Sequence, residues 1–262
     1  MKILGSSVFT IIFAIVSISC YAQQYISPFN FPLFLSGTFG ELRSNHFHTG
    51  IDIKTNEQEG HEIKAIADGY ISRIKISTWG YGKVLYVDHF DGNTSVYAHM
   101  QVFNKEIEEI IQKQQYLKES FEINYYANKD SIFVKQGETI GFSGNSGGSG
   151  GPHLHFEIRD TESQQPINPL KFGFDVADNI DPVLLEIKIY SHDDGSVNNH
   201  QNIRIPLIKS NNVESTTYKI SADSTIKVNG NISFGISTFD RQNGAPNNKN
   251  GVYEIKMFVD NK

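Results

Sequence analysis

Lys83-Val84-Leu85-Tyr86-Val87-Asp88-His89, then Asp91-Gly92-Asn93, then Thr94-Ser95-Val96-Tyr97-Ala98-His99 form two β-prone runs around a turn. Val and Tyr suit a pleated, half-buried surface, and Asp-Gly-Asn suits a tight connection. The stretch therefore predicts a β-hairpin. Upstream, Ile63 to Ala67 runs into a turn at Asp68-Gly69, and Tyr70 to Ser77 alternates. Downstream, Ile132 to Val134 and Thr139 to Phe142 flank Lys135-Gln136-Gly137-Glu138, and Leu154 to Arg159 adds a further strand. Strands joined by short turns predict an all-β, mainly antiparallel domain and not a βαβ one.

One segment departs from this rhythm. Between Asn104 and Lys118, Ile107, Ile110, Ile111 and Leu117 recur at helical spacing among Glu and Lys. The segment reads as an inserted surface helix with Asn104 as its cap, although Glu108 falls one place late for a capping box. Beyond Asp178-Asn179-Ile180-Asp181-Pro182 the character changes again. Short strands are expected at Leu184–Tyr190, Asn202–Pro206, Thr216–Ser221, Ser224–Val228, Ile232–Phe239 and Val252–Val259, which suits a small β-sandwich. The expected organisation is an extended arm over 23–36, a main domain over 37–172 with an insertion at about 103–131, and a β-sandwich over 180–262. The sandwich stops directly after a strand, which suggests that it is incomplete.

The 262 residues carry a net charge of -6, and losing Lys2 with a leader makes it -7. No dense basic patch is present, which argues against a nucleic-acid partner. Lys2, the apolar run Ile3 to Ile18, and Ser19-Cys20-Tyr21-Ala22 read as a secretory signal peptide over 1–22, too short for a lasting membrane span. Export to the periplasm or cell envelope follows. Cys20, with a poor lipidation context, is the only cysteine, so the mature chain must hold together without disulfides.

The chemistry gathers in two stretches. His48-Thr49-Gly50-Ile51-Asp52 offers an imidazole and a carboxylate four residues apart, with a glycine between them that permits a bend or close approach. Gly151-Pro152-His153-Leu154-His155-Phe156-Glu157 places two imidazoles on one strand face, with apolar residues on the other. Glu157 shares the histidine face and is placed to orient one ring. His48, Asp52 and one of His153 or His155 would make three metal ligands and leave a fourth position for water, the arrangement of catalytic zinc. Both histidines as ligands would make a closed, structural site. A further histidine nearby could take a proton from such a water, and His99, ending its strand, is placed for this. Of the nine histidines, His46 also lies in this region, while His61, His89, His192 and His200 read as surface or hydrogen-bonding groups. The glycine-rich Gly144 to Gly151 lacks the Gly-Lys-Ser/Thr ending of a phosphate loop. It reads instead as a tight loop at the mouth of a cleft, suited to an extended peptide of small residues.

Together these motifs resemble the lysostaphin-type (LytM-like) zinc endopeptidases of the bacterial cell wall. The resemblance rests on His48 to Asp52, Tyr97 to His99, and His153 to Glu157 after a glycine-rich turn, and it covers about Leu35 to Leu170. It implies the family's fold, a duplicated hybrid motif that is barrel- or sandwich-like. It also implies one Zn2+ held by His48, Asp52 and His155, with His153 and His99 as catalytic histidines. Peptidoglycan peptides would be the substrate. The stretch Ser36 to Arg43 and the insertion look like the exported Bacteroidetes-type version. Arg43, Asn145 and Ser146 are candidate substrate contacts, although Arg43 is equally placed to pair with Glu41. The alternative is a zinc-bearing module that activates another wall hydrolase without cutting anything itself.

Overall fold

The computed structural model describes residues 24–129, 131–192, 202–210, 216–220, 226–227 and 230–260. The expected leader, and most of the expected strand Ser224–Val228, lie outside them. In chain order the strands begin with β1 Leu35–Gly37, β2 Ile51–Lys54, β3 Glu62–Lys64, β4 Gly69–Ile76, β5 Lys83–His89, β6 Asn93–Met100 and β7 Val102–Phe103. Helix α1 spans Lys105–Lys118, followed by β8 Ile123–Tyr126, β9 Phe133–Val134, β10 Thr139–Phe142, β11 His153–Asp160 and β12 Pro166–Ile167. After a 3-10 turn at Pro169–Phe172 come β13 Val183–Ser191, β14 Asn202–Ser210, β15 Thr217–Ile220, β16 Ile232–Gln242 and β17 Ala245–Asn250.

The main sheet has nine strands, ordered β1-β2-β11-β6-β5-β4-β8, with β12 on β11 and β9 on β4. All its pairings are antiparallel. A smaller sheet, β3-β10-β7, accompanies it. The hairpin β5–β6 forms as expected, with Gly92 at φ 86 in its turn. The main sheet is open, with β1 and β8 at its edges, so the barrel expectation is not met. Alternation on β11 decides what each face does. Leu154, Phe156 and Ile158 are fully buried in the core, where each stabilises the fold by about 1.5–3 kcal/mol. Ile51 and Ile53 of β2 join them there.

Helix α1 forms where the spacing predicts. The Asn104 side chain accepts the Ile107 N–H at 3.0 Å, and Ile107 and Ile111 are buried. Glu108, one place late for a capping box, reaches one residue further back and accepts the Phe103 N–H at 2.9 Å. The insertion also builds sheet: β8 pairs with β4 and forms an edge that the sequence did not announce.

The C-terminal region is one five-stranded antiparallel sheet, β15-β14-β13-β16-β17. The expectation of a sandwich is corrected here, because no second sheet faces it among the described residues. Val252–Val259, expected as a strand, has no strand structure, and Tyr253, Ile255, Met257, Phe258 and Val259 are exposed. The strand lies earlier, at β17, whose Pro-Asn-Asn-Lys composition masks its β character. This sheet docks on the main one. Asn248 Nδ2 donates to the Leu35 carbonyl at 3.1 Å, and Gln242 Oε1 accepts the Leu35 N–H at 2.7 Å.

His89 is buried within the hairpin. Its Nδ1 donates to the Asp68 carbonyl at 3.0 Å, and its Nε2 lies 2.8 Å from the Ser95 hydroxyl. Burial holds its pKa below the ordinary value, outweighing the Asp68 carbonyl. The unfolded chain therefore takes up this proton first on acidification. The stability it contributes is present above pH ~6.5 and lost as pH falls through the folded pKa. In urea titrations of metal-stripped protein between pH 7.5 and 5, His89→Gln should show a flatter loss of stability than the wild type. Parallel slopes would refute this.

Candidate metal centre

Three side chains converge at one point. His48 Nε2 lies 3.1 Å from Asp52 Oδ1 and 3.0 Å from His155 Nδ1, which is itself 3.0 Å from Asp52 Oδ1. All three residues are buried, and together they can hold one metal ion. Cross-strand register accounts for two of them, because Asp52 on β2 stands directly opposite His155 on β11. His48 arrives by a different route. It precedes β2 in a loop, fixed by its N–H on the Glu41 carbonyl and its carbonyl on the Gly40 N–H, both at 2.8 Å. Gly50 then brings the chain against β11, where a Cβ would sit 2.2 Å from the Phe156 carbonyl oxygen. The sequence reading of this glycine as a close-approach residue holds.

The donor set fits zinc. Two imidazole nitrogens and one carboxylate oxygen are its usual ligands, and bonds of about 2.0–2.2 Å place tetrahedral donors roughly 3.3–3.5 Å apart. The tautomers are set for it. His48 Nδ1 donates to the Thr38 carbonyl at 2.7 Å, which leaves Nε2 to ligate. His155 Nε2 donates to Glu157 Oε1 at 2.8 Å, which directs Nδ1 into the cluster.

Glu157 is fully buried and carries a network of its own. Arg159 pairs with its Oε2 at 2.6 Å through Nε, Thr49 donates to its Oε1 at 2.6 Å, and the Tyr81 hydroxyl donates to the same oxygen. Burial pushes its carboxyl up, but His155 and Arg159 prevail and bring it to about 2. Burial likewise opposes charge on His155, yet Asp52 and Glu157 raise it to about 9. On Asp52, burial is outweighed by His153, His155 and His48, and its carboxyl lies far below the usual range.

Two more imidazoles adjoin the cluster. His153 Nδ1 lies 2.8 Å from the Gly151 carbonyl and its Nε2 lies 3.5 Å from Asp52 Oδ1. His99 Nδ1 donates to the Ser146 carbonyl at 2.8 Å, and its ring is 4.8 Å from that of His153. Both therefore carry Nδ1–H and turn Nε2 elsewhere. Burial lowers His99 to about 4 against the pull of the Ser146 carbonyl, so it is neutral near pH 7. Its backbone sits at φ 58, in the left-handed region, where β6 departs from regular register with β5. The chain behind it is built from glycine turns: Gly148 N–H donates to the Gly80 carbonyl at 2.8 Å, and a Cβ on Gly147 would lie 2.3 Å from Gly82 N.

The remaining candidates fall as follows. Arg43 pairs with Glu41 at 3.1 Å and also with Asp52 Oδ2 at 3.0 Å. Ser146 is engaged within the fold, accepting the Lys83 N–H at 2.9 Å and donating to the Met100 carbonyl at 2.8 Å. Asn145 is exposed, and His46 is exposed and bonded to its neighbour Asn45. Thr38, Tyr81, Thr49 and Arg159 were not read from the sequence as site residues. Arg159 carried a signal, because it continues the 153, 155, 157 face by one more step of two. An open cleft of 620 Å³, lined by Arg43, Asp52, Gly150, Gly151 and His153 among others, leads to the cluster.

Peptidase family M23 matches residues 46–122 and 121–169. The DD-carboxypeptidase/endopeptidase Mpg of Neisseria meningitidis is 34% identical over 129 residues, which cover 49% of this chain and 23% of that protein. The murein hydrolase activator EnvC of Escherichia coli is 34% identical over 113 residues, covering 42% and 20% respectively. The chain thus spans less than a quarter of the length of these curated relatives. Among solved structures, the catalytic domain of the antimicrobial peptidase lysostaphin from Staphylococcus simulans is 25% identical, covering 53% of this chain and 88% of that one at a TM-score of 0.38. Residues 46–169, the stretch that matches the M23 model, contain the His48-Asp52-His155 cluster described above.

Proposed function

We propose that the chain is a zinc-dependent endopeptidase of the lysostaphin (LytM-like) type. It would be exported to the cell envelope and cut peptide bonds in peptidoglycan stem peptides or cross-links. The observation that carries this reading is the convergence of His48 Nε2, Asp52 Oδ1 and His155 Nδ1 beside two further imidazoles. His153 does not share the three-way convergence, which supports three ligands and a fourth, open position. Zinc held there would supply Lewis acidity to the scissile carbonyl and lower the pKa of a water.

The chain's own residues supply the rest. His153, the imidazole nearest the ligand oxygen outside the triad, takes the proton of the attacking water at Nε2 and can return it to the departing amine. His99, neutral and bare at Nε2, accepts a hydrogen bond. That bond, from the attacking water, orients the water's lone pair toward the scissile carbon while His153 removes its proton. Arg43 holds Asp52 Oδ2 and leaves Oδ1 to the metal. The walls at Gly150 and Gly151 admit a peptide without side-chain obstruction.

The test is mass analysis of muropeptides after digestion by wild type and by His153→Ala, with zinc stoichiometry measured on both. Wild type should release defined fragments. His153→Ala should keep its zinc and lose activity about 100-fold or more. A second reading, activation of another wall hydrolase, draws on the similarity to EnvC. Two zinc-loaded proteins that are equally inactive alone, yet stimulate an added amidase, would select it.

A further inference from the structure

Thr38 and Glu41 face two ways. Toward the triad, the Thr38 carbonyl fixes His48 at 2.7 Å, while Glu41 Oε2 holds Arg43 at 3.1 Å and Arg43 holds Asp52 Oδ2 at 3.0 Å. Toward the C-terminal sheet, both meet Gly251, the residue after β17. Glu41 Oε1 accepts the Gly251 N–H at 2.7 Å, and the Thr38 hydroxyl lies 3.1 Å from the Gly251 carbonyl oxygen. Glu41 Oε1 also accepts the Thr38 N–H at 2.9 Å, which ties the two routes together. A backbone position next to a separate sheet is therefore linked to His48 through Thr38 and to Asp52 through Glu41 and Arg43.

We infer that Gly251 is a positioning residue of the metal centre, and that docking of the C-terminal sheet sets the affinity of the triad for its metal. The inference rests on the zinc-site reading above. Its physical basis is competition for Asp52. The Arg43 guanidinium is shared between two carboxylates, and its buried Nε has no partner among the described residues, so Glu41 and Asp52 together fix where it lies. If Glu41 moves, Arg43 is left to Asp52 alone, where it competes with the metal for the carboxylate. Gly251 keeps Glu41 in place by donating to it and by being small. A Cβ there would lie 2.8 Å from Glu41 Cγ and 3.0 Å from Thr38 Oγ1. His48 loses orientation by the other route, because a displaced Thr38 carries its carbonyl away from Nδ1.

The experiment uses the full chain and reads metal binding directly, by zinc competition with a chromophoric chelator and by the visible spectrum of the Co2+-substituted protein. Gly251→Ala should bind zinc about 10-fold more weakly with an altered Co2+ spectrum, although it touches no ligand. Glu41→Gln should do the same. The double variant Glu41→Gln/Gly251→Ala should be no weaker than the weaker single, because both act through one contact. Thr38→Val, which keeps the carbonyl and loses the hydroxyl, serves as the second probe if Gly251→Ala fails to fold, and it too should weaken binding. Wild-type affinity and spectrum in Gly251→Ala, or in Thr38→Val where that stands in, would overturn the inference, as would fully additive losses in the double variant. If the wild type itself takes up no zinc, the metal reading fails and this inference with it. If the wild type binds and the variants bind equally well, this inference alone fails.

Discussion

Asp52→Ala is expected to abolish zinc uptake and, on the proposed function, to reduce peptidoglycan hydrolysis to the level of metal-stripped wild type. Asp52 is the single carboxylate of the triad. Its Oδ1 faces His48, His155 and His153 at 3.1, 3.0 and 3.5 Å, and Arg43 holds its Oδ2. Its pKa lies so far below the usual range that it is charged throughout the working pH range. Without it, three imidazoles and a guanidinium surround an incoming cation with no carboxylate in direct reach of it. Removing one member of such a buried set costs about 3–5 kcal/mol, which is about two to four orders of magnitude in affinity. Asp52→Asn preserves shape and loses charge, and it should fall nearly as far. Metal content by elemental mass spectrometry decides the matter, and a stoichiometric zinc ion in either variant would refute the triad.

The second large effect is expected at Glu157. Glu157→Ala removes the acceptor shared by His155, Arg159, Tyr81 and Thr49, and leaves a mostly buried guanidinium unpaired. It should destabilise the metal-free protein by about 3–5 kcal/mol. It should also weaken zinc binding by about 10–100-fold, because Nε2 of His155 is no longer held protonated and turned away. The sign of the pH dependence follows from the depressed carboxyl. Its stabilisation is present above the ordinary value of 4.5 and is lost as pH falls toward about 2, so the gap between wild type and variant should close over that range. Denaturant titrations at pH 7 and pH 3 measure the gap. The double variant Glu157→Leu/Arg159→Met separates the two roles, because it should recover much of the stability while leaving zinc affinity low. Recovery of both would make Glu157 a purely structural group.

Much of the site was legible because β geometry has a period of two. His153, His155, Glu157 and Arg159 share a face by spacing alone, and Leu154, Phe156 and Ile158 mark the other face as core. The β5–β6 hairpin was equally plain, because its turn chemistry is local. What stayed hidden depends on contacts distant in sequence. Thr38 acts through its backbone carbonyl, which no side-chain pattern reports. Ser146 looked like a substrate contact, but its hydroxyl satisfies Lys83 and Met100 and its carbonyl seats His99. Strand β8 was missed because it follows the helix without a turn signal and is fixed only by pairing with β4. In the C-terminal region, apolar Val252–Val259 read as a strand and polar β17 did not. Pairing with β16 decided between them against the residues' own preferences.

Residue 99 shows where the demands of folding and of chemistry part. A backbone at φ 58 suits glycine, and an imidazole carried there costs the native state something that a glycine would not. Drift under selection for stability alone would replace it. On the proposed role of His99, position 99 is then a record of use across descendants of this chain. A lineage that still needs the reaction keeps the strained histidine, and one that has given up the reaction is free to relax it.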